Sequence, residues 1–209
     1  MIGVIDYKAG NAPSVYNALK RVGADGVMVR SGEDLDGVNG VILPGVGSAE
    51  ATLSSLAETG ILSVLTPKVR EDGLPFLGIC IGMQILFEHS EEGDVDCLGW
   101  LKGQVVRFPS DRVRVPQMGW NEVVFRREHP ILKGMGTSGH FYYVNSYHVV
   151  PEDAEDILAV TDYDGDFCCM VQRENILAAQ FHLEKSGPLG LRLLKNFARW
   201  AERGNDASC

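Results

Sequence analysis

The apolar positions in the first half of the chain fall into short runs that alternate with stretches of helical spacing. The runs lie at residues 2–5, 27–29, 41–43 and 76–79. After Pro13, which suits the first turn of a helix, apolar residues follow the i, i+3, i+4, i+7 spacing of one buried helix face (Val15, Ala18, Leu19 and Val22). Further helices are predicted at about 49–56 and 81–87. Short apolar strands that alternate with helices predict a parallel sheet covered on both faces.

The second half of the chain has a different pattern. From Gly103 onwards, turn residues separate short β-rich segments at 105–108, 121–125, 141–144, 157–160, 167–171 and 176–181. Apolar residues from Leu191 to Ala201 then predict a closing amphipathic helix. We therefore predict an α/β fold whose central sheet is mostly parallel, with flanking helices and an antiparallel β extension. We expect residues 1–209 to form a single domain with a disordered tail at about 204–209.

Charge and composition exclude several classes of partner. The 19 Lys and Arg residues and the 28 Asp and Glu residues give a net charge of −9, and there is no basic run. Nucleic acid and anionic membranes are therefore not expected as partners. The longest nearly apolar run, at 76–87, is too short to cross a bilayer of about 30 Å. The first residues lack the pattern of a secretory signal, which predicts a cytoplasmic protein.

The cysteine and histidine positions argue against a metal or disulfide framework. The five cysteines form an odd set without a CxxC pair, so we expect reduced thiols. His89, His129 and His140 are isolated in the sequence from other ligand residues, so no metal site is predicted. No cofactor is expected either.

Cys80 is the candidate nucleophile. It lies at the centre of Gly78-Ile79-Cys80-Ile81-Gly82, between a predicted strand and a predicted helix, as the serine of a Gly-x-Ser-x-Gly nucleophile elbow does. The flanking glycines suit such a turn because side chains there would clash. The amino end of the helix favours a thiolate, and its amides can bind an oxyanion. The alternative is a buried structural cysteine in a glycine-rich turn.

His182 and Glu184 are the candidate base and its orienting carboxylate. They follow the predicted strand at 176–181. If the chain continues as a strand, the two side chains share one side, and the carboxylate can hold the imidazole in one tautomer. The carboxyl ends of parallel strands meet at one edge of a sheet, so Cys80 and His182 are expected there together. The alternative is an exposed histidine beside an unrelated acid.

Pro44-Gly45-Val46-Gly47 is a candidate oxyanion loop, because it follows the predicted strand at 41–43. The alternative is a dinucleotide or phosphate loop. That pattern needs glycine at position 50, where Glu50 stands, and no Gly-Lys-Ser or Gly-Lys-Thr occurs. A nucleotide cofactor fold is therefore disfavoured.

Three motifs resemble those of the class I (triad) glutamine amidotransferases: GICIGMQ around Cys80, FHLEKS around His182 and LPGVG around Gly45. The resemblance extends over essentially the whole chain and implies a flavodoxin-like α/β fold. Within this class, the segments DYKAGN, PGVG, QMGWN and FYYVNSYH are most similar to the glutaminase subunits of imidazole glycerol phosphate synthases.

The resemblance implies a role for each matching residue. Cys80 would attack the γ-carbonyl of glutamine, His182 would protonate the departing ammonia, and Glu184 would orient His182. Water activated by His182 would then release glutamate from the thioester. The glutamine-binding positions would be Gln84, Ser146 and Tyr147, and the oxyanion loop would be Gly45, Val46 and Gly47. In this family the partner switches that loop.

The resemblance also implies a heterodimer with a cyclase subunit, a (β/α)8 barrel that uses the ammonia to make imidazole glycerol phosphate and AICAR in histidine biosynthesis. The residues that match the docking face are Asn11, Trp120, Tyr142 and Lys185. The sequence departs from the family pattern at two places. Leu183 stands where proline is common, and Lys8-Ala9 stands where a glycine often follows the tyrosine.

Several other interpretations of the sequence stay open. Within the class, the chain could be the glutaminase subunit for pyridoxal phosphate synthesis or a component such as that of anthranilate synthase, although QMGWN and DYKAGN argue against both. A cysteine peptidase or a redox-sensing protein on a similar sheet would use the same elbow. A non-catalytic binding module is the third alternative. The role of His148, which follows Ser146 and Tyr147, is open as well.

Overall fold

The computed structural model describes residues 1–8 and 11–203. The predicted tail at 204–209 lies outside the described residues, as does Ala9. The strands in chain order are β1 (Ile2–Ile5), β2 (Gly26–Val29), β3 (Gly40–Gly45), β4 (Phe76–Cys80), β5 (His89–Ser90), β6 (Val95–Asp96), β7 (Gly103–Arg107), β8 (Gln117–Phe125), β9 (Ser138–Asn145), β10 (Tyr147–Pro151), β11 (Ile157–Asp162), β12 (Asp166–Arg173) and β13 (Ile176–Ala179). The helices are α1 (Ala12–Arg21), α2 (Ala49–Thr59), α3 (Leu62–Arg70), α4 (Ile81–Gln84) and α5 (Gly187–Glu202).

The centre of the sheet is parallel, in the order β2-β1-β3-β4-β13. This order matches the flavodoxin-like arrangement, whose ligands bind beyond the carboxyl ends of the strands. Every residue of β1, β3, β4 and β13 is buried, as expected for strands covered on both faces. An antiparallel extension continues from β13 through β12, which pairs with β10 and β11. The predicted α/β fold with a mostly parallel centre and an antiparallel extension is confirmed.

Local signals account for the start of α1 and for both ends of α2. Pro13 lies in the first turn of α1, as predicted. The Ser48 hydroxyl accepts a hydrogen bond from the Ala51 amide at the start of α2, and Gly60 ends that helix in the left-handed region with φ of 67°. Helix α3, which contains Pro67 and buries only Leu65 and Val69, was not predicted from the sequence. A proline inside so short an apolar pattern does not indicate a helix.

The helix after Cys80 is much shorter than predicted. It was expected over 81–87 but ends at Gln84. The amides of Leu86 and Phe87 donate to carbonyl oxygens only three residues back, those of Met83 and Gln84, so the chain leaves α-helical geometry after Gln84. The carbonyl oxygens of residues 85, 86 and 87 then accept hydrogen bonds from amides of residues 98, 101 and 99. A distant segment of chain thus pairs with the residues just after the helix, and this pairing cannot be recognised from the apolar run alone.

The predicted strand at 176–181 is also shorter in the structure, because β13 ends at Ala179. Strand β10 and the two-residue strands β5 and β6 were not predicted from the sequence. Among the described residues, no helix is long and apolar enough to cross a membrane. Within the same part of the chain, no three His, Cys, Asp or Glu side chains are grouped so that they could bind a metal ion.

Candidate active site

Cys80 lies in a sharp turn between β4 and α4, as the elbow pattern predicted. Its backbone has φ of 57° and ψ of −110°, a strained combination for a residue other than glycine, and its side chain is buried. A Cβ atom on Gly82 would lie 2.0 Å from the carbonyl oxygen of Leu43, and one on Gly78 would lie 2.4 Å from that of Gly82. Both flanking glycines are therefore required by backbone packing.

His182 and Glu184 are in contact. Nδ1 of His182 lies 2.9 Å from Oε1 of Glu184, and the two side chains are only 3% and 2% exposed. The predicted backbone geometry was wrong, however. His182 is extended, but Leu183–Lys185 form a 3-10 turn rather than a continued strand. The turn, and not strand alternation, brings the carboxylate to the imidazole.

Cys80 and Glu184 together determine the protonation of His182. Burial by itself lowers the pKa of His182. Hydrogen bonds to Cys80 and Glu184, together with the negative charges on these two groups, outweigh burial and raise the pKa of His182 to about 9. Since Nδ1 faces Glu184, Nε2 is the nitrogen that faces Cys80. At neutral pH the imidazole therefore carries a proton beside the sulfur.

The glycine-rich segment at 45–47 lies beside the elbow. Gly45 ends β3 and is paired in register with Cys80 on β4. A Cβ atom on Gly45 would lie 2.9 Å from Cβ of Ile81 and 3.0 Å from the hydroxyl of Tyr7, so only glycine fits without a shift. Gly47 has φ of 97°, which also favours glycine, and Val46 between them is 38% exposed. Backbone amides in this segment can thus approach a ligand at Cys80.

Gln84 and Tyr147, two of the predicted glutamine-binding residues, are in contact. Nε2 of Gln84 donates to the carbonyl oxygen of Tyr147 at 3.1 Å and to Oε1 of Gln180 at 2.9 Å. Within the described part of the chain, Oε1 of Gln84 is buried without a hydrogen-bond partner. Ser146 lies between β9 and β10, and its carbonyl oxygen accepts from the Phe108 amide.

Comparison with known proteins decides the family. The sequence pattern of the family described as "Glutamine amidotransferase class-I" matches residues 3–200. The chain belongs to this family. The imidazole glycerol phosphate synthase subunit HisH of Leptospira borgpetersenii is 42% identical over 202 residues, which cover 95% of this chain and 99% of the relative. The HisH subunit of Geobacillus thermodenitrificans is 46% identical over 203 residues, or 94% of each chain.

Solved structures support the fold of this glutamine amidotransferase. A crystal structure described as a glutamine amidotransferase superimposes with a TM-score of 0.76 and covers 96% of this chain and 98% of its own. Its sequence is 24% identical, so this likeness concerns the fold alone.

The four residues predicted to face a partner lie in different settings in this amidotransferase. Trp120 is 56% exposed, and its ring packs edge-on against Tyr142 with centroids 6.1 Å apart. Lys185 is exposed next to Glu184 in the chain. Asn11, by contrast, is half-buried and donates from its side-chain amide to Oε1 of Glu184 at 2.5 Å. The partner-facing role of these residues stays a prediction.

The departures from the family pattern have local structural explanations. Leu183 is completely buried, so it contributes a core side chain where proline is common. Lys8 has φ of 69°, a conformation that glycine adopts without strain. His148, whose role was open, stacks on Phe108 with ring centroids 4.6 Å apart, and burial lowers its pKa. A neutral packing role is consistent with both observations.

Three further side chains lie in or beside this site and were not predicted from the sequence. Tyr7 is 2% exposed, and its hydroxyl lies against the 45–47 segment. Gln180 is completely buried, with Nε2 3.7 Å from the sulfur of Cys80. Glu92 accepts a hydrogen bond from the amide of Ala49, two residues after that segment. Of these three residues, only Gln180 could have been identified from the sequence, because it stands two residues before His182 at the end of an apolar strand.

Proposed function

We propose that this chain hydrolyses L-glutamine to glutamate and ammonia and delivers the ammonia to the cyclase subunit of an imidazole glycerol phosphate synthase in histidine biosynthesis. The observation that carries the proposal is the contact of His182 with Glu184 and Cys80 beside the 45–47 segment. The relatives over nearly the whole chain are HisH subunits of that synthase, which supports this acceptor over other amidotransferase acceptors.

The proposed first half-reaction forms a thioester. The sulfur of Cys80 attacks the γ-carbonyl carbon of glutamine, and backbone amides of the elbow and of residues 45–47 donate to the oxyanion. The tetrahedral intermediate then collapses, and the C–N bond breaks. His182, which is protonated at neutral pH because its pKa is raised to about 9, gives its proton to the departing nitrogen. Ammonia leaves, and the γ-glutamyl group stays on Cys80.

The second half-reaction hydrolyses that thioester. His182 is now neutral and accepts a proton from water, whose oxygen attacks the same carbon. The C–S bond breaks, its electron pair returns to the sulfur, and glutamate is released. Glu184 holds the imidazole so that Nε2 faces the sulfur in both steps. Gln84, Ser146 and Tyr147 hold the amino-acid part of glutamine in this proposal.

The proposed partner is a (β/α)8-barrel cyclase that forms a heterodimer with this chain. The exposed side chains of Met118 and Trp120 on β8, with Tyr142 and Lys185, supply an apolar surface with one positive charge for it. This surface is joined to the active site, since the His182 amide donates to the carbonyl oxygen of Tyr142 at 3.0 Å.

We further propose that residues 1–209 act as one domain, without metal or cofactor, in the cytoplasm.

The test is glutamate production from glutamine by the chain alone and by the chain with a cyclase subunit and its phosphoribosyl ligand. We expect a low rate alone, a rise of orders of magnitude with partner and ligand, and no activity in Cys80→Ala. High activity that ignores the partner would overturn the acceptor assignment but leave the thiol chemistry. Absence of glutaminase activity under all conditions would favour a peptidase or a binding module. A glutamine-like electrophile that labels all cysteines equally would also contradict the role of Cys80.

A further inference from the structure

A buried amide contacts the sulfur of Cys80 from a residue outside the Cys-His-Glu set. Gln180 is 0% exposed, and its Nε2 lies 3.7 Å from Sγ of Cys80. Gln180 follows β13, whose residues pair in register with β4 up to Ile79, so two adjacent strands bring it to the elbow. Its backbone amide donates to the carbonyl oxygen of Cys169 at 2.9 Å, which fixes the main chain at this point.

The orientation of the Gln180 amide follows from its neighbours. Oε1 of Gln180 accepts from Nε2 of Gln84 at 2.9 Å, and the same nitrogen of Gln84 donates to the carbonyl oxygen of Tyr147 at 3.1 Å. A carbonyl oxygen can only accept, so the NH2 group of Gln84 must face Tyr147. The NH2 group of Gln84 then requires the oxygen of Gln180, and this leaves the NH2 group of Gln180 directed at the sulfur. The carbonyl oxygen of Tyr147 thus determines the orientation of the side-chain amides of both Gln84 and Gln180.

We propose that Gln180 is a further catalytic residue, whose side-chain amide donates a hydrogen bond to the thiolate of Cys80, and that Gln84 is the positioning residue that keeps this donor aimed at the sulfur. The inference rests on the proposed glutaminase function. A hydrogen bond to an ionised acceptor is about twice as strong as one to a neutral acceptor, so this bond is strongest when the sulfur carries charge. The sulfur carries charge when it attacks the carbonyl carbon as a thiolate and again when the C–S bond breaks.

This charge dependence separates the role of Gln180 from that of His182. The imidazole moves protons to ammonia and from water, whereas the amide of Gln180 moves none. When the thioester forms, sulfur loses its charge and the hydrogen bond weakens. When the thioester is hydrolysed, the electron pair of the C–S bond returns to sulfur and the hydrogen bond strengthens. Loss of the donor is therefore expected to slow deacylation and to let the γ-glutamyl enzyme accumulate.

The test compares Gln180→Met, which keeps the length of the side chain and removes the donor, with Asn175→Leu as a matched control. Asn175 lies at the opposite end of β13, is 5% exposed, and donates from its side chain to the carbonyl oxygens of Val69 and Leu74. Both changes remove a buried amide, but only the first contacts Cys80. Gln180→Glu is the second variant; it keeps the size and places a carboxylate beside the sulfur.

The first readout is the alkylation rate of Cys80 by iodoacetamide as a function of pH, followed by mass spectrometry of the full chain. In Gln180→Met we expect the midpoint of alkylation to move to higher pH by about one unit, which corresponds to a tenfold change in the equilibrium. Gln180→Glu should move it further, and Gln84→Leu should move it in the same direction. Asn175→Leu should leave it unchanged.

The second readout is glutaminase turnover with the cyclase partner, with rapid quenching to detect the γ-glutamyl enzyme. We expect Gln180→Met to lower kcat about tenfold or more and to accumulate the thioester, while the thermal midpoint falls no more than in Asn175→Leu. If both readouts in both Gln180 variants match those of Asn175→Leu, the inference is wrong. If the alkylation shift occurs but the unmodified chain hydrolyses no glutamine, the contact with the sulfur stands and the proposed function fails.

Discussion

Asn11 donates a hydrogen bond of 2.5 Å to Oε1 of Glu184, the same oxygen that lies 2.9 Å from Nδ1 of His182. The sequence resemblance placed Asn11 on the face that docks the partner. In the structure its side-chain amide donates to the carboxylate that contacts the imidazole, and its partner-facing role stays a prediction. The residue at the start of α1 is therefore linked directly to the predicted catalytic groups at the end of the chain.

We predict that Asn11→Ala lowers the kcat of the glutaminase about tenfold, because a hydrogen bond to a charged group contributes about 1.5 kcal/mol or more. Asn11→Asp should lower it further, since it sets a second carboxylate against Glu184. The measurement is the rate of glutamate formation at saturating partner, with Lys185→Ala as the control for a purely partner-facing residue. Weaker partner affinity at an unchanged kcat would show that Asn11 acts only at the interface.

The pKa of His182 predicts the alkaline limit of activity. The imidazole must be protonated to release ammonia, and its pKa is raised to about 9, so kcat/KM of the free enzyme should fall as the pH passes about 9. Glu184→Gln removes one of the causes that raise this pKa, so the fall should begin at lower pH. The exposed Glu58→Gln on α2 serves as the control and should not move the profile. A Glu184→Gln profile that coincides with the unmodified one would contradict this role of Glu184.

The geometry of the turn at Cys80 predicts that one methyl group at position 82 greatly lowers the free energy of unfolding. Gly82→Ala would place Cβ 2.0 Å from the carbonyl oxygen of Leu43, so the backbone must shift. We expect a loss of about 2 to 4 kcal/mol in the free energy of unfolding and loss of glutaminase activity. In the comparison variant Gly26→Ala, Cβ would lie 3.3 Å from the ring of Tyr16, which can move, so the expected loss is under about 1 kcal/mol. Urea unfolding of the two variants measures the difference, and equal losses would contradict the prediction.

We predict that removal of the Tyr7 hydroxyl changes the glutaminase activity of the chain in the absence of the partner. Burial raises the pKa of Tyr7, and the nearby Thr52 hydroxyl and Val46 backbone offset only part of this rise. Among the described residues, its hydroxyl makes no hydrogen bond of ordinary geometry, so Tyr7→Phe should change the free energy of unfolding by less than about 1 kcal/mol. Because the hydroxyl lies against Gly45, its loss should also leave room for residues 45–47 to rearrange and raise partner-independent glutamate production severalfold.

The control for Tyr7→Phe is Thr52→Val, which removes the other hydroxyl in the same place and leaves Tyr7 intact. Both rates are measured without the cyclase, at the same glutamine concentration. A lower basal rate in Tyr7→Phe than in the unmodified chain would mean that the hydroxyl supports the reaction rather than restraining the segment.

Much of the sheet and the positions of the candidate nucleophile and base could be predicted from sequence. The runs at 2–5, 41–43 and 76–79 are buried on both faces, so their apolar pattern alone indicates parallel strands. Glycine is required on both sides of Cys80 because a Cβ atom at either position would overlap other backbone atoms. This requirement appears in the sequence as the local pattern Gly-x-Cys-x-Gly. His182 follows an apolar strand, and its place at the carboxyl edge of the sheet follows from the alternation of strands and helices.

The tertiary structure alone decided how these groups meet. The chain pairs with residues 98–101 directly after α4, which ends at Gln84, and a 3-10 turn rather than a strand brings Glu184 to His182. The contacts of Asn11 with Glu184 and of Gln180 with Cys80 join residues 173 and 100 positions apart. The residue types and their spacing along the sequence by themselves determined which side chains are suited to catalysis and at which edge of the sheet they lie. Contacts between distant segments depend on register and side-chain packing, and these arise only when the strands and helices come together.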